Sequence, residues 1–440
     1  MKMEKKLKRQ YFEVKDAVFG EKTVLKDRVL TISREALKEE IRPLLKAVKS
    51  VGFEIVKPGE NTRIIHLLDT LQPMLKVEGE GIQYSGYFGD PHMVGSGTTN
   101  LLSGLAVMES AALPWDESSA SSGLLYPRDA IMDMTGPISG MTPFAKTINF
   151  VILYELNEGK SSIEYDSEIR NIGIRISTYL ASVTKDMEPD SSEVFSIDEV
   201  NPELPGVVLV WNSQNQGPYS NTFIYGHPID NLVPTLIHPN EMMDGCIVSG
   251  NYVWPAFKVP TYLYVNNPIL LELYKEHGKT INFRGVIFGR SHNPSNWHKT
   301  RCAQFAVKVA QFLEADGLIM AWEGGGNAAV DGMLTIQCAE KHNIKTSTIT
   351  FEFGGVDGTE GILLVDDVPE ADAVISAGSI EKPYTIPDVE RVVGGRTFRL
   401  NKESGGFFPP SDKALAFEQT THFYLSGNQS GASTLFAEQY

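Results

Sequence analysis

Short apolar runs separated by turn residues dominate the first 240 residues, a pattern typical of strands rather than helices. The clearest runs are RVLTIS (28–33), TRIIHLL (62–68), FVILYEL (150–156) and GVVLVWN (206–212). Clusters of Gly, Pro, Asp and Ser between them predict turns. Two helices are predicted here, one over 34–49 with Ser33 as its N-cap and one over 164–183.

The pattern changes after residue 280, where strand-like and helical segments alternate. Strands are predicted for GVIFG (285–289), GLIMAW (317–322), KTSTITFEF (345–353) and ADAVISAG (371–378). A first helix is indicated by five apolar residues at the spacing of one helical face: Cys302, Phe305, Val309, Phe312 and Leu313. A second helix is predicted over 331–342. Alternation at this spacing predicts a parallel sheet with helices on its faces.

We therefore predict an α/β protein in three parts. A strand-rich α+β region occupies residues 1–240, a seam occupies 241–280, and a C-terminal parallel-sheet α/β domain occupies 281–440. The 440 residues are enough for two or three domains and a sizeable core.

The seam contains the aromatic stretch IVSGNYVWPAFKVPTYLYVNNP (247–268). Tyr252 and Trp254 lie two residues apart, as do Tyr262 and Tyr264, so each pair would face one side of a strand. Taken alone, this pattern fits the wall of a hydrophobic core better than a binding surface.

Composition and charge narrow the class of protein. The chain is 42% hydrophobic and 21% charged, which is typical of a globular protein, and its formal net charge is −16. That charge argues against nucleic acid and anionic membranes as partners, because both select basic surfaces. No apolar run approaches a membrane span, and the three cysteines include no C-x-x-C pair. We expect a cytoplasmic protein without a disulfide framework or a zinc site.

A glycine loop, WEGGGNAAVDG (322–332), offers a dinucleotide-binding alternative. Gly324, Gly326 and Ala329 fit G-x-G-x-x-[G/A] after a strand, and Glu352 ends the next strand, where an acid would bind the ribose. A tight strand-to-helix turn also requires glycines, and we favour that interpretation, with or without a bound anion.

The histidines and cysteines give weaker signals. His292 and His298 are six residues apart with a proline between them, which is not a helical metal pair. Cys246 has no basic neighbour in sequence that would activate it, so we interpret it as a buried, unreactive thiol.

Four blocks of the sequence carry a resemblance that extends over nearly the whole chain. They are 76–108 (KVEGEGIQYSGYFG to VGSGTTNLLSGLAVM), 132–155 (MDMTGP to TPFAKTINFVILYE), 225–252 (YGHPIDNLVPTLIHPNEMMDGCIVSGNY) and 266–287 (NNPILLELYKEHGKTINFRGVI). The chain resembles the substrate-specific component B proprotein of the glycine, sarcosine and betaine reductases. These enzymes belong to amino-acid-fermenting anaerobes.

The resemblance implies a processing site at Asn251-Tyr252. In the glycine-specific member an Asn-Cys bond is cut there, and the cysteine becomes a pyruvoyl group that takes the substrate amine as a Schiff base. The phenol of Tyr252 is held away from Cβ by its ring, so it can neither attack the preceding carbonyl nor eliminate. We expect no pyruvoyl cofactor and an uncleaved chain, with Cys246 as a less favoured substitute cleavage site.

The tyrosine also bears on the substrate. Betaine carries a quaternary ammonium that cannot form a Schiff base, and such cations are held by aromatic faces. The resemblance therefore favours an aromatic cage, for which the candidates are Tyr252, Trp254, Tyr262, Tyr264 and Trp211. Asn251, Asn212 or backbone N–H groups are candidates for binding the carboxylate.

The predicted function is the substrate-binding subunit of betaine reductase component B. As the resemblance implies, a partner subunit supplies a selenocysteine whose selenolate expels trimethylamine, the carboxymethyl group passes to selenoprotein A, and component C releases acetyl phosphate. No residue of this chain is assigned as a nucleophile. The alternatives are a sarcosine or glycine reductase subunit, an NAD-dependent dehydrogenase, and a non-catalytic betaine-binding protein.

Overall fold

The computed structural model describes residues 5–114, 129–215, 222–250, 254–356, 364–400 and 408–433. This part of the chain is a mixture of strands and helices with one large parallel sheet, which confirms the predicted α/β class. None of the helices in these ranges combines the length and apolar character that a membrane span requires.

The described residues up to 195 form mainly sheets. The strands are β1 (Leu7–Glu13), β2 (Asp16–Phe19), β3 (Val24–Lys26), β4 (Val29–Ile32), β5 (Val48–Val56), β6 (Thr62–Ile65), β7 (Leu67–Leu71), β8 (Met74–Glu78), β9 (Gly97–Ser103), β10 (Leu105–Ser110), β11 (Ile131–Asp133), β12 (Ile148–Leu156) and β13 (Ser191–Phe195). Two four-stranded sheets have the orders β13-β1-β9-β8 and β5-β12-β10-β7.

Two helices accompany these sheets, α1 (Arg34–Ile41) and α2 (Ser162–Ala181). Ser33 caps α1 as predicted, since its side chain accepts a hydrogen bond from the backbone of Ala36. The predicted extension to residue 49 is wrong. Pro43 lies in a short 3-10 turn after Ile41, and β5 begins a few residues later.

The second half of the chain adds shorter helices and the parallel strands. The strands are β14 (Gly206–Gln214), β15 (Phe223–Ile224), β16 (His227–Pro228), β17 (Thr235–Ile237), β18 (Ile247–Val248), β19 (Asn282–Ser291), β20 (Gly317–Trp322), β21 (Lys345–Glu352), β22 (Val374–Ser379), β23 (Tyr384–Ile386), β24 (Arg391–Val393) and β25 (Leu415–Phe417). The helices are α3 (Pro239–Met243), α4 (Thr261–Val265), α5 (Pro268–Glu276), α6 (Asn296–Phe312) and α7 (Asn327–Lys341).

The parallel sheet has the order β17-β19-β14-β20-β21-β22, with β17 as its one antiparallel strand. Numbered along the chain from β14, its parallel strands run 2-1-3-4-5, a doubly wound order. The chain reverses its winding direction between β14 and β20, and ligands of such folds bind at the carboxyl ends of the strands near this reversal.

The hydrogen-bonded sheets connect parts of the chain that were predicted as separate. The central strand β14 comes from the predicted region 1–240, and β24 pairs with β6 across more than 300 residues of sequence. The three-part division at residues 240 and 280 therefore stays a prediction.

The predicted apolar stripe of α6 is partly wrong. Phe305 is 41% exposed and Phe312 is 80% exposed. The buried face of the helix is formed by smaller residues: Cys302, Ala303, Ala306, Val307 and Ala310. Alanines let α6 approach its neighbours closely, so the larger aromatic side chains lie on the outside of the helix.

Candidate functional site

Polar residues lie at the end of β14 and directly after β20, where the winding direction of the sheet reverses. The buried carboxylate of Glu323 accepts hydrogen bonds from the Ser213 hydroxyl (2.6 Å), the Gln214 backbone N–H (2.7 Å) and the Val259 backbone N–H (2.7 Å). Burial raises the pKa of Glu323 although these hydrogen bonds oppose the shift. Glu323 thus joins the two strand ends to the predicted seam.

The seam backbone at Ser249 and Gly250 is held by several hydrogen bonds. The Ser249 N–H donates to the Thr261 hydroxyl (2.9 Å), and the Ser249 hydroxyl donates to the Val259 carbonyl (2.6 Å). The Gly250 N–H donates to the Thr222 hydroxyl (3.1 Å). The backbone immediately before the Asn251-Tyr252 position is therefore fixed and buried.

Two buried cations hold the carbonyl groups of the same segment. The Lys258 ammonium donates to the Gly250 carbonyl (2.6 Å), and the Arg170 guanidinium donates to the Ser249 carbonyl. Each cation also has a carboxylate partner, Asp69 for Lys258 (3.4 Å) and Asp166 for Arg170 (2.9 and 3.0 Å).

Burial and charge act in opposite directions on these cations. Burial lowers the pKa of Lys258, and Asp69 opposes that effect. Burial alone would also lower the pKa of Arg170, but Asp166 and other carboxylates raise it above its ordinary value. Both pairs depend on good geometry because desolvating an ion costs several kcal/mol.

Asp69 also fixes the start of α4. Its carboxylate accepts hydrogen bonds from the Thr261 N–H (3.0 Å) and from the Thr261 hydroxyl. A carboxylate is favourable at a helix N-terminus, where backbone N–H groups lack partners within the helix. Asp69 therefore joins β7 to the aromatic stretch.

Glu109 is a buried acid of a different kind. It lies in β10, is 0% exposed, and neither carboxyl oxygen has a hydrogen-bond partner in the described part of the chain. Burial raises its pKa to about 8, Asp69 and Asp166 add to the shift, and Arg170 and Lys258 oppose it.

Two of the predicted cage residues, Trp211 and Tyr264, lie together. Their ring centroids are 5.7 Å apart in an edge-to-face arrangement, and the indole N–H of Trp211 donates to the Tyr264 hydroxyl (3.2 Å). That hydroxyl also contacts Ser213, so the pair adjoins the Glu323 cluster. Both rings are fully buried, and burial raises the pKa of Tyr264 well above its ordinary value.

The prediction that Tyr262 and Tyr264 face one side of a strand is wrong, because both lie in the short helix α4. Residues two apart in a helix point in directions that differ by roughly 200°. Tyr262 accordingly packs edge-to-face on Phe144, with 5.2 Å between ring centroids.

Trp254 belongs to a separate aromatic stack. Its half-buried ring stacks on Phe257 (5.2 Å between centroids), and Phe257 stacks on Phe351 (4.5 Å). Gly325 of the glycine loop lies against this stack, since a Cβ there would come within 3.1–3.3 Å of the Phe257 and Phe351 rings. Trp254 precedes a 3-10 turn and is not in a strand.

Of the two asparagines predicted to bind the substrate carboxylate, the structure describes one. Asn212 is buried near the end of β14. Its backbone carbonyl accepts a hydrogen bond from the backbone N–H of Glu323 (2.9 Å). Asn251 and Tyr252 lie outside the described residues. The structure therefore brings Trp211, Tyr264 and Asn212 to the sheet end, and it places Tyr262 and Trp254 in other aromatic contacts.

The glycine loop follows β20, the third strand of the doubly wound order, whereas the dinucleotide fingerprint follows the first. Gly324 and Gly326 adopt φ of +92° and +55°, which only glycine tolerates well, and the Gln429 amide donates to the Gly324 carbonyl (2.8 Å). These contacts favour the structural interpretation of the loop.

The histidines and the cysteine considered from the sequence form no site together with the Glu323 carboxylate in the described part of the chain. The described residues include no His, Cys, Asp and Glu cluster suited to a metal ion. His292 contacts the Asn327 amide, and His298 contacts Ser295. Cys246 is buried as predicted, and burial raises its thiol pKa well above the ordinary value.

Sequence reasoning missed the charged residues of the site. They are Asp69, Glu109, Asp166, Arg170, Lys258 and Glu323. Lys258 is the only charged residue in the aromatic stretch 247–268, and that isolation was a usable signal. The others stand in or beside apolar runs far apart in the sequence, so only the fold brings them together.

A buried polar cluster at the carboxyl end of a doubly wound sheet is typical of small-molecule sites in α/β enzymes. Comparison with known proteins identifies the family to which the chain belongs. The family described as "Glycine/sarcosine/betaine reductase component B subunits" matches residues 5–438. The chain therefore belongs to the glycine/sarcosine/betaine reductase component B family, which gives it an oxidoreductase-type role in a multi-subunit complex.

Three curated relatives have nearly equal similarity. The component B subunits alpha and beta of the glycine reductase complex from Acetoanaerobium sticklandii are 34% identical over 387 residues, 87% of each chain. From Peptoclostridium acidaminophilum, the sarcosine reductase component B subunit alpha is 35% identical over 390 residues, 87% of each chain. The betaine reductase component B subunit alpha of that organism is 32% identical over 403 residues, 88% of each chain. No solved structure matches the chain.

Proposed function

We propose that this chain is the substrate-binding subunit of component B of a betaine reductase and that it works without cleavage. The observation that carries the proposal is Tyr252 at the position where the resemblance places the pyruvoyl-forming cysteine. Without a carbonyl the subunit forms no Schiff base, and betaine is the family substrate that has no N–H with which to form one.

The names of the relatives support an uncleaved chain. The glycine reductase relative is named for two subunits, alpha and beta, whereas the sarcosine and betaine relatives are each named for one subunit, alpha. The identities of 32–35% do not select among the three substrates, so the choice of betaine rests on Tyr252.

The site offers groups suited to a quaternary ammonium. Trp254 lies two residues after Tyr252 in the sequence, and an aromatic face contributes roughly 0.5–2 kcal/mol to binding a desolvated cation. Trp254, together with Tyr252, is the preferred cage candidate, because Trp211 and Tyr264 are fully buried with their polar atoms engaged.

The remaining chemistry belongs to partners. In this proposal a selenocysteine-containing component B subunit supplies the selenolate that attacks the methylene carbon, and trimethylamine leaves. Selenoprotein A takes the carboxymethyl group, and component C releases acetyl phosphate. This chain binds and orients betaine so that its carbon–nitrogen bond lies in line with the external nucleophile.

A reconstituted reductase assay with betaine, sarcosine and glycine tests the proposal. We expect trimethylamine release from betaine to exceed amine release from the other two substrates. An analogue of the same shape that keeps the carboxylate but lacks the ammonium charge, 3,3-dimethylbutanoate, should bind more weakly than betaine, because ring faces attract the cation. Preferred turnover of sarcosine or glycine would overturn the proposal. Betaine binding without turnover would indicate a non-catalytic betaine-binding protein.

A further inference from the structure

Six ionisable side chains form one buried cluster beside the backbone of Ser249 and Gly250. They are the acids Asp69, Glu109, Asp166 and Glu323 and the cations Arg170 and Lys258, each at most 5% exposed. They come from β7, β10, α2, the end of β20 and the seam. Four acids against two cations give the cluster more negative than positive groups.

Three of the four acids are fully engaged. Asp69 accepts hydrogen bonds from Thr261 and pairs with Lys258. Asp166 pairs with Arg170, and Glu323 accepts the three hydrogen bonds described above. Each of these carboxylates therefore has hydrogen-bond or ion-pair partners that Glu109 lacks.

Glu109 is the exception, and the fold makes room for it. A Cβ at Gly173 of α2 would overlap a Glu109 carboxyl oxygen, so glycine at that helix position admits the side chain. No donor in the described part of the chain reaches either oxygen. A buried carboxyl without a partner is costly and calls for a functional explanation.

Glu109 is also adjacent to Asp69. It stands between the Met108–Thr70 and Ser110–Leu67 pairs of β10 and β7, at an irregularity opposite residues 68 and 69. Two neighbouring carboxyls in a dry interior cannot both be charged cheaply. Ionisation of Glu109 therefore adds one negative charge to a cluster that already contains more acids than cations.

The groups that act on Glu109 come from several elements. They are Asp69 of β7, Asp166 and Arg170 of α2, Lys258 of the seam, and the tyrosines Tyr87, Tyr154 and Tyr424. The tyrosines stay neutral because burial raises the pKa of each. With its pKa raised to about 8 by burial and by the neighbouring acids, Glu109 can lose its proton near neutral pH.

We propose that this cluster is the counter-charge for the ammonium group of the substrate, and that Glu109 releases its proton when the cation binds. The inference rests on the proposed function in taking betaine as the ligand, although any small organic ammonium would have this effect. Lys258 and Arg170 link the acids to the carbonyls of Gly250 and Ser249, so a cation bound beside these carbonyls offsets the surplus negative charge. The released proton passes to the solvent buffer.

Calorimetric titration of the full chain with betaine at pH 7, in buffers of different ionisation enthalpy, tests this inference. We expect roughly half to one proton released per betaine bound, and an affinity that rises with pH until Glu109 is ionised in the free protein. The analogue 3,3-dimethylbutanoate, which keeps the carboxylate but lacks the ammonium charge, is the matched control and should release no proton. Glu109→Gln should abolish the release and flatten the pH dependence, and Glu109→Asp should restore part of it.

The outcomes separate this inference from the proposed function. Betaine binding without proton release, or equal release by Glu109→Gln, overturns the inference and leaves the proposed function standing. Binding of sarcosine or glycine with proton release, and no binding of betaine, overturns the proposed function and supports the cluster. Failure of all three ammonium compounds to bind overturns the inference. The wild-type comparison of betaine with its analogue decides the matter if Glu109→Gln does not fold.

Discussion

At the scale of single residues, Trp254 is the sharpest test of the aromatic cage. Trp254→Ala removes one ring face, and loss of roughly 1–2 kcal/mol of cation–π energy corresponds to about 5- to 30-fold weaker betaine binding. Trp297→Ala is the control, because Trp297 is 66% exposed on α6 and should leave binding unchanged. Equal weakening of betaine and 3,3-dimethylbutanoate would reveal a packing role for Trp254 instead.

Lys258 permits a second test at this scale, with another buried lysine as its control. Lys258→Met leaves Asp69 buried without its cation, and breaking such a pair costs about 3–5 kcal/mol of unfolding free energy. Lys299→Met breaks the buried Lys299–Asp331 pair, 2.7 Å long, and should cost a similar amount. Denaturant unfolding gives both costs. Only Lys258→Met should also weaken betaine binding, because Lys258 alone of the two holds the Gly250 carbonyl.

At the scale of elements, local pattern identified the parallel strands well. The apolar run GLIMAW was predicted over 317–322, and β20 has those bounds, since a central strand buried by helices needs a continuous apolar run. The pattern failed at Tyr262 and Tyr264, where the spacing suggested a strand. There Asp69, far away in sequence, binds the N-terminus of α4 and stabilises the helix.

The glycine loop provides the prediction at this scale. Titration with NAD or NADP should show no micromolar binding, because the loop follows the third strand and its Gly324 carbonyl is bound by Gln429. Gly326→Val should fold with a loss of roughly 1–3 kcal/mol, since its φ of +55° strains a branched residue although no atom lies within 4 Å of the Cβ position. Micromolar binding that this variant abolishes would replace our proposal with a dehydrogenase.

At the scale of the whole molecule, the buried charged cluster of the candidate site was beyond prediction from sequence. Asp69, Asp166 and Glu323 are separated by long stretches of chain, and their meeting depends on how two sheets and α2 pack.

The position of Tyr252, by contrast, could be assigned without the fold, because the resemblance alone aligned it with the processing cysteine. It predicts one intact polypeptide of about 48.6 kDa by mass spectrometry. Two fragments with a carbonyl-reactive terminus near residue 246 or 252 would contradict this.

The unfolding free energy of the whole chain should depend on pH through the ionisation of Glu109. Its pKa is raised from 4.5 to about 8 in the folded protein, so between these values the folded state holds a proton that the unfolded state has lost. The unfolded state then binds fewer protons, and the unfolding free energy contributed by this group falls as pH rises from about 4.5 to about 8. Urea unfolding at a series of pH values measures this slope. Glu109→Gln cannot ionise, so its unfolding free energy should fall less steeply than that of the wild type across the same window. Parallel curves for the two proteins would show that Glu109 is already charged in the folded state, and the cluster would then have no proton to release.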